Sequence, residues 1–120
     1  MLYQDKDLKI RTKLFTVRVL SFAESLDYSV VKKIIVNQMA KSGSSVGANY
    51  RSACRGRSDA EFLSKMNIVL EEADETLFWL EIIQEMKWKD CDDLLLKEAN
   101  ELTAIFVTII KNTKSRMHSK

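Results

Sequence analysis

The sequence predicts an all-α protein: an antiparallel, up-down-up-down, left-handed four-helix bundle built as one domain over residues 1–120. Three observations predict it. The chain has no proline and only 3 glycines, apolar residues recur at steps of three and four through four long segments, and only short polar breaks separate them. The turn chemistry that strands and hairpins require is absent. A chain of this length buries about two thirds of its unfolded surface and needs no disulfide or metal to fold.

The first helix is expected over about residues 7–26. Leu8, Phe15, Val19, Phe22 and Leu26 share one face, while Ile10, Leu14 and Val17 form a second one that a single bundle seam does not need. Asp27-Tyr28-Ser29 breaks the pattern, and Ser29 is placed to cap a second helix over 30–57. Ser42-Gly43-Ser44-Ser45 resembles a loop, yet the seven-residue spacing of Ile35, Ser42 and Asn49, with Gln38, Ser45 and Ser52 in step, runs through it. It reads as helix, straight or kinked.

Ser58 or Asp59 caps the third helix, 59–86. There Phe62, Met66, Val69, Ala73, Thr76, Leu80 and Ile83 alternate steps of four and three, flanked by Leu63, Leu70 and Leu77. After a loop around Lys87 to Asp90, the residues Leu95, Ala99, Leu102, Phe106 and Ile109 repeat that spacing in a fourth helix, 92–111, followed by a polar, basic tail, 112–120. Short connections make neighbouring helices antiparallel, and this spacing favours a left-handed bundle. The second hairpin then places Ser45 opposite Glu72, Ser42 opposite Glu75 and Gln38 opposite Trp79. Both carboxylates are expected to be partly buried and to accept hydrogen bonds from Ser42, Ser45 or Asn49.

The net charge of +2 conceals a sorting by helix: residues 28–58 carry six Lys or Arg and no acid, and residues 59–86 carry eight acids and one Lys. Two readings stand side by side. The charges neutralise one another inside the hairpin or between subunits, or the basic residues form a surface for phosphate backbones. On the second reading the contacts are Arg51, Arg55 and Arg57, helped by Lys111, Lys114 and Arg116. Lys9, Arg11, Lys13 and Arg18 add a further acid-free stretch.

Enzyme chemistry finds little to work with. The one histidine, His118, falls in the tail, Glu72-Ala73-Asp74-Glu75 lacks the Glu-x-x-His partners of a di-iron bundle, and Gly43 with Gly47 is helix packing rather than a phosphate loop. Cys54 and Cys91 are too few and too far apart for a disulfide framework or a zinc site. Trp79 at heptad spacing reads as packing before it reads as a base-stacking platform. No catalytic residue, metal site or cofactor is expected. No stretch approaches a membrane span, and the N-terminus lacks an apolar leader, so a soluble, cytoplasmic protein is expected.

Gln38, then Ser45-Val46-Gly47-Ala48-Asn49, then Asp59-x-x-Phe62, then Glu72-Ala73-Asp74-Glu75-Thr76 and Trp79-Leu80 occur in an order that resembles the bacterial four-helix bundle proteins named for 23S ribosomal RNA intervening sequences. The resemblance extends over nearly the whole chain. It departs at Ser52, where a common form of the family has Glu three residues after the motif asparagine. It implies a homopentameric ring without enzymatic activity, kinship with accessory proteins of diversity-generating retroelements that engage RNA and a reverse transcriptase, and a role for Ser45, Asn49, Glu72, Glu75, Thr76 and Trp79 as bundle and interface determinants; Gln38 and Ser42, in step with them along the second helix, complete the structural motif. The leading expectation is therefore a self-associating scaffold that binds RNA or DNA, and the alternative is a pure protein adaptor. A bundle-type ribonuclease is a third class, without the residues to support it.

Overall fold

In the computed structural model the described residues are 6–88 and 90–119. Residues 1–5, Lys89 and Lys120, and with them most of the segment read above for a leader and the last residue of the basic tail, lie outside this range. The described residues form four helices and no strand: α1 (Lys6–Ser25), α2 (Val30–Cys54), α3 (Asp59–Glu85) and α4 (Asp93–His118).

The caps stand where the sequence places them. The Ser29 hydroxyl accepts the Lys32 amide at 3.0 Å and opens α2, and the Ser58 hydroxyl accepts the Glu61 amide at 3.1 Å and opens α3. The Glu61 carboxylate reaches back to accept the Arg57 amide at 2.6 Å, so a donor of the turn and one of the first donors of α3 are satisfied together. Asp92 accepts from the Leu95 amide at 2.9 Å at the start of α4.

Two boundaries differ from the sequence reading. α2 ends at Cys54 instead of Arg57, because the amides of Arg55 and Gly56 bond to the Ser52 and Ala53 carbonyls in a tight turn that delivers the chain to Ser58. α4 continues through the expected tail to His118. Thr113 is buried one turn beyond Ile109 and donates its hydroxyl to the Ile109 carbonyl at 2.8 Å, which extends the core repeat with a polar but satisfied side chain.

Around the bundle the helices pack in the cyclic order α1, α2, α3, α4, with a thin seam returning from α4 to α1; among the described residues no two backbones approach closely across either diagonal, where only core side chains meet. The core is assembled from all four helices and centres on Phe15, Met39, Tyr50, Phe62, Met66 and Phe106, all at most 1% exposed. The rings of Tyr50 and Phe106 lie 6.2 Å apart.

Along the α1–α2 seam the helices approach closely at two glycines. A Cβ on Gly43 would overlap Val19 Cγ1 and lie 3.0 Å from Val19 Cβ, and one on Gly47 would lie 2.7 Å from Thr16 Oγ1. The two glycines are thus required by proximity rather than by backbone angle. Thr16 uses the opening to insert its hydroxyl between turns of α2, donating to the Gly43 carbonyl at 2.8 Å and accepting from the Gly47 amide at 3.1 Å.

Along the α2–α3 seam the register lies one residue beyond the expected one. Ser42 meets Thr76, their hydroxyls 2.8 Å apart, rather than Glu75. Of the two hydroxyl protons one bridges the pair and the other goes to a backbone carbonyl, that of Glu72 at 2.8 Å from Thr76 or that of Met39 at 3.2 Å from Ser42, so the buried polar seam closes on itself. The predicted bonds from the stripe to the Glu72 and Glu75 carboxylates do not form. Asn49 donates instead to the Ser45 carbonyl of its own helix at 2.9 Å, Glu72 is half-buried, and Glu75 is exposed. Gln38 is exposed and makes no bond to Trp79, whose indole Nε1 is buried with no acceptor among the described residues.

Ion pairs close the other two seams. Arg11 grips Glu98 with two bonds of 2.7 Å and reaches Glu101 at 2.9 Å, tying α1 to α4. Arg116 binds Asp59 through Nη2 at 2.9 Å and Nε at 3.3 Å, tying the end of α4 to the start of α3.

Candidate functional site

Because Thr16 enters α2 between Gly43 and Gly47, the two helices run side by side with a groove between them. This groove, with a volume of about 450 Å³, extends from the seam toward the C-terminal end of α2. Its charged lining is Lys9 and Lys13 from α1 and Arg51 and Arg55 from α2; no acidic side chain lines it. Thr12, Thr16 and Ser44 supply neutral polar edges. Lys9, Lys13, Arg51 and Arg55 are all exposed, and none forms a salt bridge among the described residues. Four cations around one concavity, with no internal carboxylate to neutralise them, make a local positive field that attracts polyanions.

The six sequence-predicted phosphate contacts divide. Arg51 and Arg55 meet in this groove, and Arg57 is exposed one turn beyond α2. Lys111 and Lys114 are exposed on α4. Since Arg116 of α4 pairs with Asp59 at the start of α3, which follows the end of α2, these residues all belong to the same end of the bundle. Arg116 itself is withdrawn from the set, because its guanidinium is held by the Asp59 carboxylate through two hydrogen bonds that raise its pKa. Lys9 and Lys13 were legible as part of an acid-free stretch but not as partners of Arg51; the signal was Gly47, whose missing side chain lets Thr16 bring α1 alongside.

The neutralisation of α2 by α3 is not seen within the chain, where no lysine or arginine of α2 forms a salt bridge to a carboxylate among the described residues. The Glu72 carboxyl is pushed above its ordinary value, first by burial and then by Glu75 and Glu71, with Lys41 opposing. The Cys91 thiol is also pushed up, by burial and by its hydrogen bond to Asp93 at 3.4 Å, which disfavours the reactive thiolate. Cys54 is buried, and His118 is exposed at the end of α4. Among the described residues no three His, Cys, Asp or Glu gather where they could hold a metal ion, and no helix is long and apolar enough to cross a membrane. A second hollow of about 410 Å³ runs along α4 past Ile105, Ile109 and Thr113; its only charged lining residue is Arg116, already paired.

The family described as 23S rRNA-intervening sequence protein matches residues 6–108, most of the chain and all but the last turns of α4. The chain belongs to that family. No curated protein matches it. Among solved structures it is similar to a crystal structure of a protein of unknown function from the S23 ribosomal protein family of Bacteroides thetaiotaomicron VPI-5482, with 30% identity over 86% of this chain and 97% of that one and a TM-score of 0.72. In this intervening-sequence protein the motif positions have distinct tasks: Ser42 and Thr76 form the buried hydroxyl pair, Asn49 and Ser45 bond within α2, and Glu75 faces solvent. Ser52, the position where the family resemblance puts a glutamate, is half-buried beside the turn that ends α2.

Proposed function

We propose that this intervening-sequence protein is a non-enzymatic, self-associating scaffold that holds RNA or DNA by its phosphate backbone, without reading sequence. The observation that carries the proposal is the groove of Lys9, Lys13, Arg51 and Arg55, whose lining contains no acid. Such contacts position a nucleic acid but carry no base information. The bundle is read as antiparallel, up-down-up-down and left-handed, which agrees with Val19 lying at Gly43 while Thr16 lies at Gly47, and gathers Arg57, Lys111 and Lys114 around the same end. Self-association repeats that end in each subunit, and a homopentamer is the count that the family resemblance implies. The protein is read as cytoplasmic, where RNA and DNA are available to it.

The test is retention on immobilised polynucleotide. The chain should bind at low salt and elute by about 0.5 M, since each neutralised phosphate releases counterions. Absence of low-salt retention removes the nucleic-acid reading. The adaptor alternative draws on Tyr28, Val30, Val31 and Ile34, which expose apolar surface around the start of α2. An adaptor would pass through the same column unretained.

A further inference from the structure

The groove between α1 and α2 offers a ligand two unlike zones. Its exposed rim is cationic, with Lys9 and Lys13 on the α1 side and Arg51 and Arg55 on the α2 side. Its floor is neutral, and the threonine and serine hydroxyl protons there are already committed to backbone carbonyls: Thr12 donates to Lys9 at 3.2 Å, Thr16 to Gly43 at 2.8 Å and Ser44 to Lys41 at 2.9 Å. These hydroxyls therefore accept from a ligand but have nothing left to donate, and Gly47 and Ala48 add apolar surface beside them. A phosphate oxygen, which only accepts, finds its donors on the rim.

This division sorts the parts of a bound nucleic acid. Phosphates stay at the rim, while sugars and bases, with apolar faces and with amino or hydroxyl groups that donate, turn toward the floor. A single strand takes that posture readily, since its bases are free to splay and the planar guanidiniums of Arg51 and Arg55 can lie against them. A duplex cannot take it, because its bases are stacked inward and its outer surface is phosphate. Nor can the protein reach into the duplex: the described residues form a rod of 52 × 22 × 21 Å with four helices packed side by side, too thick to enter a major groove about 12 Å wide. A duplex therefore meets the rim from outside and leaves the floor uncovered.

We infer that the groove seats a single strand of RNA or DNA in preference to a duplex, with phosphates at Lys9, Lys13, Arg51 and Arg55 and with sugar and base edges against Thr16, Ser44 and Ala48. The inference deepens the nucleic-acid binding in the proposed function and rests on it. Size agrees with it: a hollow of about 450 Å³ matches a ligand of a few rings, about one or two nucleotides, and not a helix of paired strands. Charge alone predicts the opposite order, because duplex DNA carries one charge per about 1.7 Å of axis and releases more counterions per contact than a single strand does. A preference for the single strand is thus a property of the floor and not of the field around the rim.

Fluorescence anisotropy at one low ionic strength tests it, with a labelled, unstructured pyrimidine strand of about 20 nucleotides used alone and annealed to its complement, in RNA and in DNA. The single strand should bind at least about 10-fold tighter than the duplex for either sugar, a margin that burial of about 60 Å² of apolar surface supplies. Ala48→Leu alters the floor without altering charge: position 48 is exposed and helical, and the leucine leans toward Ser44, into the groove. It should cost the single strand about 10-fold in affinity and the duplex less than about 2-fold, with the thermal melt unchanged. A duplex that binds as tightly as the single strand in either sugar, or an Ala48→Leu variant that spares single-strand affinity or weakens both forms alike, overturns the inference and leaves the nucleic-acid reading standing. Absence of binding to either form at low salt ends both.

Discussion

Replacing Gly43 by alanine tests whether the α1–α2 approach is as tight as the geometry states. The new Cβ would overlap Val19 Cγ1, and Val19 is fully buried with a β-branched side chain that has little rotamer freedom to yield. Overpacking of this kind costs about 1–3 kcal/mol, against a gain of about 1 kcal/mol from replacing a helical glycine. The single variant should therefore be destabilised by up to about 2 kcal/mol. Val19→Ala removes the obstructing methyl groups at a cost of about 1.6 kcal/mol in transfer energy plus a cavity term. In that background Gly43→Ala meets only the Cβ of residue 19, at 3.0 Å, and should cost much less than it does in the wild type. Urea unfolding of the four species gives the coupling directly, expected at about 1–3 kcal/mol in favour of the double variant. Additivity within about 0.5 kcal/mol would refute the close packing of Gly43 on Val19.

Further outcomes follow from the seams. Glu72 has a carboxyl pKa raised by burial and by Glu75 and Glu71; its folded form therefore binds a proton more readily than its unfolded form, and its contribution to stability is greatest at acid pH and lost as pH rises through the folded pKa. Glu72→Gln should accordingly raise the melting temperature at neutral pH, and that gain should vanish in acid; a gain that grows on acidification would contradict the assignment. Ser42→Ala should cost about 1 kcal/mol, while Ser42→Ala with Thr76→Val should cost little more, because the hydroxyls meet chiefly each other across the seam; urea titration distinguishes this from two independent losses. Deleting residues 112–120 should lower the melting temperature by several degrees, since it removes buried Thr113 and the Arg116–Asp59 pair. An unchanged melt would restore the reading of that segment as a tail.

How much of this was legible depended on whether a feature is local. The α3 repeat from Phe62 to Ile83 and the caps Ser29 and Ser58 are set by residues within a few positions of one another, and the structure places them as read. The hairpin partners are not local. The register is set by packing between residues 34 positions apart and lies one residue on from the expected one, enough to exchange Glu75 for Thr76 opposite Ser42 and to leave Asn49 bonding within its own helix. Polarity misled at the C-terminus: Lys111, Lys114 and Arg116 look like a solvated tail, yet Thr113 between them is a core position. The loss of Arg116 from the candidate site was hidden for a related reason, because its partner Asp59 lies 57 positions away. The basic groove was half legible: the acid-free stretches of α1 and α2 were visible, but their joining depends on Thr16 entering α2 between two glycines.

The most direct measurement of the central claim is the salt dependence of polynucleotide binding for the wild type and for Arg51→Glu with Arg55→Glu, each accompanied by a thermal melt. Both side chains are exposed and outside any salt bridge among the described residues, so the melt should not change. Binding should weaken alike for every sequence tested, and the slope of log affinity against log salt should become shallower by about 2 per bound chain on duplex. Unchanged binding together with a lowered melting temperature would contradict the account and assign these arginines to holding the assembly together.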